Sequence, residues 1–150
     1  MRHMIFWDDC VVGDEIPVLT ATIGSAQLFL MSAVTLNPHR IHYDEGWARH
    51  EGYEERVIHG PFHGEVIIQT VQNWLGSTGW LRELEYSNRR YAILGDKLAG
   101  HGRILRMYVE GGRNLADLDV WVENQNGEVT APGTATVVLP SRESPIQTEV

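Results

Sequence analysis

The stretch 60–76 constrains this chain most. Pro61 stands at a first helical position, where a residue without an amide proton costs nothing. Phe62, Val66, Ile67, Ile68, Val71, Trp74 and Leu75 then follow within helical spacing. They cover more than one narrow stripe, and a helix apolar over that much of its circumference has to be wrapped by other structure. The segments after Gly76 read differently. Residues 84–93, 103–110, 115–123 and 129–139 have the character of strands. In the third, Leu118, Val120 and Val122 alternate with Asp117, Asp119, Trp121 and Glu123, the period of a half-buried strand. Asn126-Gly127 marks a tight hairpin between the last two. One buried helix followed by an antiparallel meander predicts an α+β fold, a curved sheet around a helix.

The half before Gly60 is less regular. Residues 14–22 predict a short strand that leads into a helix. Gly24-Ser25 supplies the break and the cap, and 27–34 carries apolar residues at helical spacing. Residues 36–44, with Pro38, predict a loop or a single turn. Asp44 is placed to cap a short helix over 45–50 that Gly52 ends, and Val57-Ile58 reads as a short extended piece. The 150 residues suit one domain, 1–150, with a polar tail after Pro140 expected to be loose.

Composition excludes several classes. A formal charge of −8 argues against a general nucleic-acid surface, and Arg89-Arg90 is too short a basic run to reverse that. Cys10 is the one cysteine, so no intramolecular disulfide forms, which fits a reducing compartment. The first residues lack a basic segment followed by a long apolar run. The longest apolar runs fall well short of the roughly 20 residues a membrane span needs. The expectation is a cytoplasmic protein that binds neither nucleic acid nor membrane.

The chemistry concentrates in 37–60, which holds four of the seven histidines and opens directly onto the apolar helix. A titratable base near a free helix N-terminus suits proton transfer next to a carbonyl. The base moves the proton, and unpaired helix-start amides hold the developing oxyanion. The residues that define this stretch are Asn37-Pro38-His39-Arg40-Ile41-His42-Tyr43-Asp44, Ala48, Gly52 and His59-Gly60-Pro61. Further along stand Gly95-Asp96, Asn124-Gln125-x-Gly127 and Gly133-x-Ala135.

From about Ala33 to Pro140 this pattern resembles the MaoC-like hydratase/dehydratase family of the hot-dog fold. Within it, the pattern is most similar to the branch of mesaconyl-CoA-type hydratases and mitochondrial-type 3-hydroxyacyl-thioester dehydratases. The resemblance implies a hot-dog domain that pairs as a homodimer. It implies reversible addition of water to a 2-enoyl thioester of CoA or acyl-carrier protein, in fatty acid metabolism, with no metal or organic cofactor. The family places a catalytic Asp five residues before its catalytic His. The His falls on His42, while the Asp position is Asn37, an amide that takes no proton at neutral pH. The oxyanion donor of the family, a glycine amide at the central helix start, falls on Gly60. On this reading His42 acts as base, Asn37 orients the water, and His39 and Asp44 are nearby candidates for a second function, with His59 and Pro61 at the helix start.

Each assignment has a structural alternative. His42 could simply bond its own backbone, Gly60 could be only a cap, and Asp44 favours capping the next helix. His59 and His63, four apart, could join His39 and His42 as metal ligands, but residues lining a loop–helix junction are the simpler expectation. Glu65 is a first-turn acid that the helix dipole favours in any case. Hot-dog thioesterases place an acidic catalyst on this helix, so Glu65 carries the rival reading of an acyl-CoA thioesterase. A second rival is a non-catalytic acyl-thioester-binding subunit that works through a related chain. Cys10 is expected to be inert, Trp74, Trp80 and Trp121 to serve core or interface, and Arg89 or Arg90 to meet substrate phosphates.

Overall fold

A computed structural model describes residues 4–144. Its elements run β1 (Leu19–Thr22), α1 (Ser25–Val34), α2 (Glu45–His50), α3 (Gly60–Leu75), β2 (Trp80–Tyr86), β3 (Lys97–Glu110), β4 (Arg113–Glu123) and β5 (Val129–Leu139). Two single 3₁₀ turns, Trp7–Asp9 and Arg40–His42, add to these. The strands form one antiparallel sheet in the order β1-β3-β4-β5-β2, and α3 lies against it as the hot-dog helix. The core sits between them. Val66, Ile67, Val71 and Leu75 of α3 pack with Leu98, Ile104, Leu118, Val120, Val122 and Val137 of the sheet, all nearly free of solvent contact.

The predicted helix is present and begins at Gly60, but it is not wrapped all round. Its buried stripe is His63, Gly64, Val66, Ile67, Thr70, Val71, Trp74 and Leu75. Phe62 and Ile68 are only half-buried, and Pro61, Glu65, Gln69, Gln72 and Asn73 face solvent. The stripe includes small and polar residues that an apolar count passes over. At Gly100 the sheet backbone touches the helix. A Cβ there would run into Thr70 Oγ1 and stand 3.0 Å from Val66 Cγ1 and 3.2 Å from the Val66 carbonyl. Thr70 cannot turn aside freely, since its hydroxyl donates to the Val66 carbonyl at 2.6 Å.

Several strand limits differ from the sequence expectation. The expected strand over 84–93 is instead Trp80–Tyr86, paired with β5. Beyond Tyr86 the polar run Ser87-Asn88-Arg89-Arg90 has no inward-facing apolar alternation to hold it in the sheet. There the regular ladder ends, though the Ser87 and Arg89 amides still donate to the Pro132 and Thr130 carbonyls of β5 at 3.0 and 2.8 Å, and Ile93 then makes an isolated pairing with Val57. Strand β3 begins at Lys97 rather than Arg103. Its inward residues Leu98, Gly100, Gly102 and Ile104 alternate, but two of them are glycines that carry no apolar signal. The expected strand over 14–22 is interrupted: Glu15 pairs with Arg103 of β3 and Leu19–Thr22 forms β1, while Pro17 between them has no amide for the ladder. The β4–β5 connection is the tight hairpin expected at Asn126-Gly127: the Asn124 amide donates to the Glu128 carbonyl and the Gly127 amide to the Asn124 carbonyl, each at 3.0 Å. The Asn124 side-chain carbonyl accepts from the Asn126 and Glu128 amides at 3.0 and 3.1 Å, and Gly127 takes φ 74°.

Residues after Pro140 are fastened as far as they are described. The Trp7 amide donates to the Pro140 carbonyl at 2.8 Å, and Arg142 bonds Asp8 through its amide and Asp9 through its guanidinium. The rest of the expected loose tail lies outside the described residues. Trp74 is in the core, whereas Trp121 stacks on His101 on the far face of the sheet. Among the described residues no helix is long and apolar enough to cross a membrane.

The Gly100 contact leads to a test. Gly100→Ala should destabilise the fold by about 1–3 kcal/mol through overpacking between β3 and α3, read as a lower urea midpoint with an unchanged slope.

Candidate active site

The segment between α1 and α3 holds the site, and a small cluster of its own fixes it. Ile41, Ala48 and Val57 are buried together, with Trp47 and Tyr53 against them. Asp44 is spent on this scaffold. Its carboxylate caps α2 through the Trp47 amide at 3.0 Å and takes the Arg40 guanidinium at 2.5 and 3.1 Å. The Arg40 hydrogen bonds, with the Trp47 amide, hold its pKa below the usual carboxylate range. The capping alternative for Asp44 is therefore the one realised. Arg40 in turn lies 4.3 Å above the Trp47 ring.

With Ile41 turned into that cluster, His42 faces the other way and is itself only 7% exposed. Its Nδ1 stands 2.7 Å from the Val57 carbonyl, an acceptor that requires the proton on Nδ1. Nε2 therefore carries a lone pair, and Asn37 Nδ2 points at it from 3.4 Å. That spacing is long for a hydrogen bond. It is a weak contact that a water entering between the two groups could replace. Asn37 holds this pose because its carbonyl oxygen accepts the His39 amide at 3.2 Å. Burial is the main cause that pushes the His42 pKa down, against a smaller upward pull from the Val57 carbonyl. The ring is a neutral base at neutral pH.

His59, 2% exposed, stacks on His42 with ring centroids 3.6 Å apart and planes 16° from parallel. Its Nε2 meets Ser32 Oγ of α1 at 2.9 Å. Burial first, and then the neighbouring His42, push the His59 pKa from 6.5 down to about 4. So Val57 fixes the edge of the catalytic candidate and His59 fixes its face. Gly60 follows and heads α3, where an amide has no acceptor within the helix. A Cβ at Gly60 would strike the side-chain amide of the exposed Asn88, which would have to turn away. Next to these residues is a cavity of about 270 Å³ walled by His42, Gly60, His63, Asn88 and Arg89. A second, mostly apolar groove of about 390 Å³ lies on the far side of Asn37, along Phe29, Ala33, Leu36 and Tyr43.

The structure thus brings His42, Asn37, His59 and Gly60 together. Pro61 is at the helix start but faces solvent, and its role there is the first-turn backbone. His39 lies at the rim, half-exposed, 3.3 Å from Glu51 Oε1. Glu65 does not reach the cavity; it is exposed and takes a hydrogen bond from Gln69 at 2.7 Å. Among the described residues no group of three or more His, Cys, Asp or Glu side chains is placed to hold a metal ion. Cys10 lies elsewhere, its thiol pushed up to about 11 by burial and by Asp14 and Asp9. Sequence reasoning missed Ser32 and Asn88. Ser32 left one signal, a polar residue four positions after Leu28 on the buried side of an apolar helix. Asn88 left none.

Residues 14–94 match the family model described as hydroxyacyl-thioester dehydratase type 2. Over 71 residues the chain is 32% identical to the mitochondrial hydroxyacyl-thioester dehydratase type 2 of Saccharomyces cerevisiae, a match covering 47% of this chain and 25% of that protein. Over 47 residues it is 45% identical to the mesaconyl-C(4)-CoA hydratase of Chloroflexus aurantiacus, covering 31% of this chain and 17% of that one. The matches thus span a quarter or less of these curated relatives. The R-hydratase PhaJ1 from Pseudomonas aeruginosa superposes with a TM-score of 0.80 at 24% identity, over 98% of this chain and 94% of that one, which establishes a shared fold.

Buried neutral imidazoles make stability depend on pH. The folded pKa values of His42, His59 and His63 are all depressed, so the unfolded chain takes up protons first as pH falls. Their contribution is complete above the ordinary value of 6.5 and is lost as pH drops, for His59 down to about 4. Between pH 7.5 and 5.5, the unfolding free energy from urea titrations should fall by up to about 1.4 kcal/mol per pH unit for each imidazole. His59→Gln should flatten that slope.

Proposed function

The chain belongs to the hydroxyacyl-thioester dehydratase type 2 family, and from that premise we propose that it is a hydro-lyase that adds water to 2-enoyl thioesters or removes it from 3-hydroxyacyl thioesters. The observation that carries this reading is the neutral His42, its unprotonated Nε2 at the Asn37 amide and its ring on the wall of the cavity that the Gly60 helix start also lines. A water entering between the two groups donates a proton to His42 Nε2 and accepts an N–H from Asn37. Its oxygen attacks the β-carbon, and the electron pair of the double bond moves toward the thioester oxygen. The Gly60 amide hydrogen-bonds that oxygen as it gains charge, a contribution of about 3 kcal/mol for one preorganised donor. His42 then returns its proton to the α-carbon. One group both takes and gives the proton, so the missing carboxylate at Asn37 is no obstacle. No step calls for a metal or an organic cofactor.

Substrate and assembly follow as parts of the same proposal. A CoA or acyl-carrier-protein thioester would leave its carrier at the Arg89 side of the cavity. Among the described residues the outer edges of β1 and β2 have no neighbouring strand, and edge-to-edge pairing into a homodimer would satisfy one of them. A thioesterase would need Glu65 at the scissile carbonyl, and its position on the solvent face of α3 speaks against that.

Loss of enoyl absorbance over a series of short, long, branched and dicarboxylic enoyl-CoAs should reveal the activity. His42→Ala should lower it about 10²–10⁴-fold while the protein stays folded. A variant within about tenfold of wild type would remove His42 from proton transfer. A wild type that binds acyl-CoA yet never turns over alone would point instead to a subunit completed by a related chain.

A further inference from the structure

His63 is the side chain that the proposed reaction leaves unused and the structure leaves unexplained. It is 1% exposed, and neither Nδ1 nor Nε2 has a hydrogen-bond partner. Among the described residues no other side chain buries two such orphaned atoms. Polar groups left this way cost stability, and native proteins keep few of them without a use. His63 lines the same cavity as His42 and Gly60. It lies three residues after Gly60, so both occupy one side of the first turn of α3.

The ring is also in the right state to donate without transferring a proton. Burial is the main cause lowering its pKa, and the Gly60 carbonyl pulls the other way more weakly. The helix start also disfavours a cation there. A neutral imidazole keeps one N–H, and the Gly60 carbonyl lies near the ring without forming a hydrogen bond of ordinary geometry, so the ring can place that N–H toward the cavity. Neutral histidines near a helix N-terminus polarise substrate carbonyls in other enzymes.

We infer that His63 is a second oxyanion donor, its ring N–H joining the Gly60 amide on the thioester carbonyl oxygen. The inference rests on the hydratase reading for its substrate. No proton changes hands at His63: it holds the oxygen while the carbonyl bond polarises and keeps its own hydrogen throughout. It is therefore a catalytic residue distinct in role from His42, which moves the proton, and from His59, which positions His42.

The test is the infrared carbonyl band of butyryl-CoA and octanoyl-CoA, ¹³C-labelled at the thioester carbon and bound at saturation. Neither can be hydrated or dehydrated, so the measurement does not depend on turnover. Wild type should shift the band to lower frequency. His63→Leu should lose a large part of the shift, and His63→Gln, which keeps an N–H donor, should retain most of it. In hydration assays His63→Leu should lower kcat about 10²–10³-fold with little change in KM. Leucine replaces the two orphaned polar atoms with apolar ones, so its melting temperature should equal or exceed that of wild type. No shift in wild type, or an equal shift in His63→Leu, overturns the inference. Loss of kcat in both variants with a large fall in melting temperature also overturns it, since a structural role explains both. A shift that depends on His63 in a protein that hydrates no enoyl-CoA would sink the hydratase reading and leave the donor standing. Normal hydration with an unchanged shift would do the reverse.

Discussion

The hydrogen bond from His42 Nδ1 to the Val57 carbonyl, 2.7 Å long, is the contact on which the site depends. It sets the tautomer, and so decides that Nε2 is a base. It also fixes the distance between the irregular segment that carries His42 and the helix that begins at Gly60. The same short piece is clamped from three sides. The Val57 amide donates to the Ile41 carbonyl at 2.9 Å, the Ile58 amide donates to the Ala92 carbonyl at 2.8 Å, and Val57 pairs with Ile93. Two residues in extended conformation thus join the catalytic turn, the helix start and the segment after β2. His59 continues directly from them, which is why it can lie flat on His42.

What could be read from the residues follows the range of the contacts. Local signals were legible: Pro61 at a helix start, Asp44 as a cap, the alternation in β4. The elements that went wrong failed where local pattern was silent. Gly100 and Gly102 hid the inward face of β3, and Pro17 cut a strand that composition alone would extend. The site divides in the same way. Asn37 and His42 sit five residues apart and were found together. The bond from Ser32 to His59 spans 27 residues, and the approach of Asn88 to Gly60 spans 28. Nothing in one sequence marks which distant polar residues will meet.

Electrostatics gives the substitution at Asn37 its sense. The chain carries a net charge of −8, yet the acids near the site are engaged elsewhere: Asp44 with Arg40, Glu51 with His39 and Trp47, Glu65 with Gln69. Within reach of His42 Nε2 stands an amide. A carboxylate in that place would favour the imidazolium and stabilise the charged form of a group that burial now keeps neutral. The amide adds no charge, and a water entering between the two would meet an N–H on one side and the lone pair on the other.

That choice passes a requirement on to the rest of the cavity. A site with one proton-transferring group has to lower its barrier by holding the enolate oxygen rather than by supplying a second acid. Donors that do not titrate near neutrality meet that need, and the first turn of α3 provides them: a backbone amide at Gly60, and an imidazole at His63 kept neutral by burial. Burying three histidines without charge costs the protein stability as pH falls. Beside such buried groups a hydrogen bond counts for more than it would in solvent. The cavity trades tolerance of acid for neutral groups around the oxyanion, with charge left to Arg89 and Arg90 on its wall, and the neutral base, the amide and the helix start are parts of one solution.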